Sequence, residues 1–100
     1  MKRLYFTEEA ELDLTQIIEF TNKQWGVDQA RQYLEKIHQT LHLLTENPGA
    51  GLIREDLSPD LFSFPCQRHM IYFTRSADSI TAIRILHASM DPAKQLQPND

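Results

Sequence analysis

The fold of this 100-residue chain follows from one stretch in its last third, Arg68-His69-Met70-Ile71-Tyr72-Phe73-Thr74-Arg75, which continues through Ser76-Ala77-Asp78-Ser79 into a second apolar run at 80–88. Both runs are rich in β-branched and aromatic residues, and the polar residues between them are typical of a hairpin turn. The stretch therefore predicts two antiparallel strands, 68–75 and 80–88. Both strands carry Arg or His among their apolar residues, and this favours contact with a partner or a substrate.

Two long helices are predicted before this hairpin. Thr7 is a suitable N-cap for the first helix. The helix has an apolar stripe at i, i+4, i+7 and i+8 spacing, formed by Ala10, Leu14, Ile17, Ile18, Thr21 and Trp25. Gly26 is expected to end this helix and Asp28 to cap the second, which runs to Asn47-Pro48-Gly49. So short a link predicts an antiparallel helical hairpin.

The remaining segments complete a single domain. Residues 2–6 and 61–64 are predicted strands, and 49–60 are expected to form a connecting loop on the surface. The order β-α-α-β-β-β predicts an α+β fold over residues 1–91, in which an antiparallel sheet packs on the helical hairpin. Residues 92–100 are expected to be a frayed C-terminal tail.

Alternation along the strands assigns their faces. The expected core residues are Ile71, Phe73, Ile83 and Ile85. The residues expected to point outward are Arg68, Met70, Tyr72, Arg84 and Leu86. An outward face that mixes charged, aromatic and aliphatic side chains suits a protein interface.

The composition excludes several classes of protein. A net charge of −4 argues against nucleic-acid binding over the whole surface. No apolar run reaches the roughly 18 residues of a membrane span, and the chain start lacks the apolar segment of a signal peptide. Cys66 has no second cysteine to pair with and is expected to be a small buried residue. These features predict a cytoplasmic protein that does not bind membranes.

Few residues suggest chemistry. His38 and His42 have a spacing that can chelate zinc, but no further ligand is close in sequence, so neither a metal nor a cofactor is predicted. Arg84 and His87 are the candidate catalytic pair of a ribonuclease, in which Arg stabilises the phosphorane and His transfers a proton. For Arg84, partner binding and a plain structural role are the alternatives.

Taken together, these residues resemble the ParE branch of the RelE/ParE toxin superfamily from bacterial type II toxin–antitoxin systems. The matching residues are Ala10, Asp13-Leu14, Trp25-Gly26, Gln29-Ala30, Tyr33, Asn47-Pro48, Gly51, Arg68-His69, Ile71-Tyr72, Ile85-Leu86-His87 and Met90-Asp91. The resemblance implies a growth-inhibiting toxin that a cognate ParD-like antitoxin neutralises. It also implies a toxin–antitoxin hetero-oligomer that binds operator DNA only through the antitoxin.

ParE-type members of the superfamily are associated with poisoning DNA gyrase, whereas RelE-type members cut messenger RNA on the ribosome. The nuclease branch places Lys, Arg and Tyr around the end of the last strand, but this chain has Leu86-His87-Ala88-Ser89-Met90-Asp91 there. The prediction is therefore a non-enzymatic gyrase poison without catalytic residues. The alternatives are a ribosome-dependent messenger RNA endoribonuclease that uses Arg84 and His87, and a non-toxic antitoxin-binding scaffold.

The surface that would bind the antitoxin is predicted from the same strands. The predicted partner-binding residues are Arg54, Arg68, Met70, Tyr72, Arg84, Leu86, His87 and Met90. An amphipathic segment of the antitoxin is expected to place apolar anchors across the helical hairpin and the sheet edge. Its acidic residues are expected to contact Arg68 or Arg84.

Overall fold

A computed structural model describes residues 2–96 of the chain. The elements, in chain order, are β1 Arg3–Phe6, α1 Glu8–Trp25, α2 Val27–Glu46, a 3-10 turn Pro48–Ala50, β2 Leu52–Ile53, β3 Phe62–Cys66, β4 His69–Arg75, β5 Ser79–His87 and α3 Pro92–Gln95. The five strands form one sheet in the order β1-β5-β4-β3-β2. The predicted α+β class, with a sheet packed on a helical hairpin, is confirmed.

Two features of the sheet differ from the expectation. β1 lies parallel to β5, with Arg3 opposite Ser79, so the sheet is mixed and not antiparallel throughout. A tight turn forces its two strands to be antiparallel, but no tight turn joins β1 to β5. The expected loop at 49–60 also contains β2, which pairs with β3 through Leu52 and Ser63.

The helical hairpin is as tight as its sequence indicated. Thr7 caps α1, because its Oγ1 atom accepts a hydrogen bond from the Ala10 amide at 3.1 Å. Gly26 alone separates the helices and has a φ of 94°, which glycine adopts without strain. Asp28 was expected to cap α2 but lies within its first turn, because α2 begins at Val27.

Trp25 was expected in the buried stripe of α1, and this was wrong. Its side chain is 70% exposed, whereas Ala10 and Ile17 are buried. At 3.6 residues per turn, Trp25 lies about 80° around the helix from Ile17, at the rim of the buried face.

The main core lies between the helical hairpin and one face of the sheet. Its largest fully buried side chains are Phe73, Ile37, Leu41, Leu44, Ile71 and Ile80. Burial of such a side chain contributes about 1.5–3 kcal/mol, so this contact is the chief source of stability. Cys66 is 4% exposed at the edge of the core, which confirms it as a small buried residue.

A second, smaller apolar cluster covers the other face of the sheet. It is formed by Leu61, Tyr72 and Leu86, with Leu57, Met70, Ile83 and Leu96 packed against them. Tyr72 and Leu86 were expected on an open face, but each is only 3% exposed. The chain itself covers them, with Leu57 and Leu61 of the loop before β3 and Leu96 after α3, because so apolar a face is unfavourable in water.

A β-bulge explains the position of Ile83. The pairing of β4 with β5 shifts between Tyr72, which is opposite Arg84, and Phe73, which is opposite Ala82. Ile83 is left without a partner, so it packs on the second cluster and Ala82 takes its expected place in the core. Strict alternation cannot predict the added residue of a bulge.

The C-terminal segment is more ordered than expected up to Leu96. Asp91 caps α3 by accepting a hydrogen bond from the Ala93 amide at 3.0 Å. The rest of the predicted tail, 97–100, lies outside the described residues.

Candidate functional site

A groove of about 710 Å3 lies between α1 and the open end of the β4–β5 hairpin, where β4 begins and β5 ends. Ile17, Phe20 and Trp25 of α1 form its apolar wall, and Met90 closes it beyond β5. The side chains of Phe20 and Trp25 are 64% and 70% exposed. Large exposed aromatic residues beside a concave apolar surface are typical of a binding site.

A largely buried ion pair of Arg84 and Asp13 lines the groove. Arg84 donates from Nε to Asp13 Oδ2 at 2.8 Å and from Nη2 to Oδ1 at 3.0 Å. The Ile85 amide donates to the same Oδ2 atom at 2.9 Å. The hydrogen bond to Asp13 is the main reason that the pKa of Arg84 is raised above its usual value. The charge of Arg84 is therefore balanced within the chain.

Two histidines mark the polar end of the groove. His69 at the start of β4 lies opposite His87 at the end of β5, and their ring centroids are 5.3 Å apart. The Tyr33 hydroxyl on α2 lies 2.5 Å from His69 Nδ1 and accepts a hydrogen bond from the Arg68 amide at 3.2 Å. This network joins α2 to the end of the sheet.

The electrostatic environment keeps His69 neutral. Burial is the main cause that lowers its pKa to about 4, and the neighbouring His87 lowers it further, against an opposing effect of Asp13. Burial likewise raises the pKa of Tyr33. The Tyr33 hydroxyl therefore stays protonated at neutral pH and can donate to His69.

His87 is fixed by the residues that follow β5. The Ser89 amide donates to His87 Nδ1 at 3.1 Å, and the Ser89 hydroxyl lies 2.7 Å from the same atom. The ring itself is exposed to solvent. Its Nδ1 face is therefore occupied, while the opposite edge remains accessible.

The predicted partner-binding residues divide between two places. Five of them line the groove: Arg68, Arg84, Leu86, His87 and Met90. Three lie at the second cluster instead: Arg54, Met70 and Tyr72. Arg54 contacts Asp56 at 3.1 Å through both Nε and Nη2, and its guanidinium carbon lies 5.8 Å from the centre of the Tyr72 ring.

Several residues that line the groove were not predicted as site residues from the sequence: Asp13, Phe20, Tyr33 and His69. The exposure of Trp25 was not predicted either. Asp13 had a usable signal, because it is an acidic residue within the apolar stripe of α1. Phe20 had a weaker one, as a large apolar residue beside that stripe. The role of His69 had no local signal, because its partner Tyr33 is 36 positions away.

The structure also locates the residues considered for metal binding. His38 and His42 are exposed on α2, and His42 Nε2 lies 3.0 Å from Glu46. Among residues 2–96, no three His, Cys, Asp or Glu side chains are grouped so that they could hold a metal ion. Neither long helix in this part of the chain has the length and hydrophobicity needed to cross a membrane.

Comparison with solved structures defines the fold family. The chain is similar to one from the chromosomal ParDE TA system from P. aeruginosa, with a TM-score of 0.75, 20% identity, and coverage of 87% of this chain and 96% of that one. Residues 4–92 match the family model described as the ParE toxin of type II toxin–antitoxin system, parDE. The chain belongs to the ParE toxin family.

Curated relatives agree with this assignment. Toxin ParE of Escherichia coli is 33% identical over 92 residues, which cover 91% of this chain and 89% of the relative. Toxin ParE1 of Caulobacter vibrioides is 29% identical over 96 residues, with coverage of 96% and 99%. Toxin ParE1 of Mycobacterium tuberculosis is 27% identical over 95 residues, with coverage of 94% and 97%.

Proposed function

We propose that this chain inhibits growth by binding and poisoning DNA gyrase, and that a ParD-like antitoxin neutralises it by occupying the groove. Membership of the ParE toxin family supports the toxin role. The observation that carries the antitoxin proposal is the open groove, with Phe20 and Trp25 exposed at its rim. The proposal implies a cytoplasmic protein that forms a hetero-oligomer with its antitoxin and reaches operator DNA only through it.

The two rim aromatics are suited to a helical partner. An aromatic side chain buries roughly 150–250 Å2, so covering the exposed part of each ring gives about 3 kcal/mol at roughly 25 cal/mol per Å2. Part of this gain is offset by the entropy lost on binding. An amphipathic antitoxin helix that inserts apolar side chains between Phe20 and Met90 would cover both rings and be stabilised by this burial.

A matched set of variants tests the groove. The antitoxin should bind F20A and W25A at least tenfold more weakly, because covering each exposed ring contributes about 3 kcal/mol before the entropy lost on binding is subtracted. L12A is the control, since Leu12 is 61% exposed on α1 but does not line the groove. Isothermal titration calorimetry measures the three affinities. Equal losses in all three variants, or no loss in any, would contradict antitoxin binding in the groove.

The gyrase target is tested separately with purified components. The chain should inhibit supercoiling by gyrase and increase the amount of cleaved DNA held in the enzyme–DNA complex, and added antitoxin should reverse both effects. In cells, induction without the antitoxin should cause filamentation and DNA damage while messenger RNA stays intact. Unchanged supercoiling at a large excess of the chain would refute gyrase as the target.

The ribonuclease alternative is less well supported by the geometry. Arg84 would have to stabilise a negatively charged phosphorane, but its guanidinium already binds Asp13 through two nitrogens. His87 keeps an accessible Nε2 edge, because only its Nδ1 atom is bonded to Ser89, so the pairing of Arg84 is what disfavours this alternative. Rapid cleavage of ribosome-bound transcripts after induction would support this alternative. Growth unaffected by induction would support the non-toxic scaffold.

A further inference from the structure

The polar end of the groove presents hydrogen-bond donors without acceptors. The Ser89 amide donates to His87 Nδ1, and the Tyr33 hydroxyl, whose oxygen accepts from the Arg68 amide, is free to donate to His69 Nδ1. An imidazole whose Nδ1 atom accepts a hydrogen bond carries a proton on Nε2, so both rings present an Nε2–H donor. Within residues 2–96, neither Nε2 atom has a hydrogen-bond partner, and no carboxylate pairs with Arg68.

Three donors at one end of an apolar groove select a particular kind of ligand group. We propose that Arg68, His69 and His87 form a carboxylate-binding subsite that receives an acidic side chain of the antitoxin. This inference rests on the proposed function, because it places the antitoxin in the groove. A carboxylate has two oxygens and about four acceptor positions, enough for the guanidinium and both imidazole N–H groups.

The position of the subsite fits an amphipathic ligand. His69 and His87 are directly opposite each other across β4 and β5, with ring planes at 82°. They line the same groove as the apolar wall of Phe20 and Trp25. One helix face that carries apolar anchors and a single acidic residue can therefore contact both parts of the groove.

The charges around the groove favour a carboxylate over a phosphate or a nucleic acid. Arg84 is neutralised by Asp13, so Arg68 is the one cationic side chain lining the groove, within the described residues, that has no acidic partner. The first turn of α1 is acidic, and the chain has a net charge of −4. A phosphodiester backbone requires a track of cationic side chains, and a single guanidinium does not provide one.

Small probes test the subsite without the antitoxin. We would titrate the whole chain with 3-phenylpropionate and with its amide, which has the same shape without the charge, and follow the Cε1–H resonances of His69 and His87 by NMR. The acid should bind at least tenfold more tightly than the amide, because hydrogen bonds to a charged acceptor are about twice as strong as neutral ones.

Matched variants assign the effect to the subsite. R68Q should remove most of the preference for the acid, and Arg68 is exposed, so the variant does not disturb the core. H38Q is the control, because His38 is exposed on α2 away from the groove. Equal binding of acid and amide would overturn the proposal, and so would binding that changes the chemical shift of neither histidine. Tighter binding of inorganic phosphate than of the acid would assign the site to a phosphate ligand and would also overturn it.

The antitoxin supplies the final measurement. Its affinity should fall about tenfold in R68Q and in H87Q but not in H38Q. No loss in R68Q would overturn the antitoxin side chain as the occupant. The two proposals can fail separately. If F20A leaves antitoxin binding unchanged while 3-phenylpropionate still binds more tightly than its amide and shifts the histidine resonances, the carboxylate subsite is supported and the groove as the antitoxin site is refuted.

Discussion

The pair formed by Asp13 and Arg84 should be the most strongly coupled pair of charged side chains in the described structure. Asp13 is 8% exposed and accepts three hydrogen bonds, two from Arg84 and one from the Ile85 amide. Breaking a fully buried pair costs about 3–5 kcal/mol, because the remaining charge is left without a partner. The Arg84 side chain is 21% exposed, so we take the lower end, about 3 kcal/mol.

A double-mutant cycle measures this coupling. D13N keeps the shape of the side chain but removes its charge, and R84M keeps the aliphatic part of Arg84. Each single variant should lose about 3 kcal/mol of unfolding free energy. The double variant should also lose about 3 kcal/mol, and not the sum of the two single losses, because it leaves no unpaired charge. The expected coupling energy is therefore about 2–3 kcal/mol.

The assay is urea unfolding of the antitoxin-free chain followed by far-UV circular dichroism, with equal m-values required for all four proteins. E46Q is the control, because the side chains of His42 and Glu46 are 61% and 52% exposed, so the loss of this contact should leave the urea midpoint unchanged. A coupling energy below about 0.5 kcal/mol, the level expected of independent sites, would refute the reasoning.

Two further predictions concern stability. The pKa of His69 is about 4 in the folded chain and about 6.5 when unfolded, so the unfolded chain holds more protons between these values and stability should rise with pH there. At 1.36 kcal/mol per pKa unit, reduced because the ring is partly exposed, urea unfolding should show about 2 kcal/mol more stabilisation from pH 4 to pH 6.5 in the wild type than in H69Q. An identical pH dependence in H69Q would refute the assignment. G51A should lose about 1–3 kcal/mol of unfolding free energy, because a Cβ atom at this position would lie 2.5 Å from Phe73 Cζ. G49A is the control, because a Cβ atom there has no atom within 4 Å. Equal urea midpoints for the two variants would contradict this packing argument.

The elements of the fold were predictable because their signals are local. Thr7, Gly26 and the turn at 76–79 each act within a few residues of the chain, so their effects can be recognised in the sequence. The parallel pairing of β1 with β5 has no such signal. It depends on contacts between Arg3 and Ser79, which are far apart in sequence.

The candidate site was predictable only in part, for the same reason. Arg84 and His87 stand out as polar residues in an apolar strand, and both line the groove. Asp13 could be noticed as an acidic residue within the apolar stripe of α1, but its pairing with Arg84, 71 positions away, has no local signal. The covering of Tyr72 by residues of a distant loop likewise required the three-dimensional structure.

The Asp13–Arg84 pair also determines where a partner can bind. A partner carboxylate that took Arg84 from Asp13 would leave Asp13 buried without its cation, so the exchange would cost about as much as it returned. Arg84 is therefore an unfavourable anchor for an antitoxin, although it lines the groove. Arg68 has no such competitor among residues 2–96, so a partner carboxylate gains the full charge-assisted contact there. The same internal pairing that argues against a phosphate-cleaving site supports our proposal that an acidic partner binds at Arg68 and the two histidines.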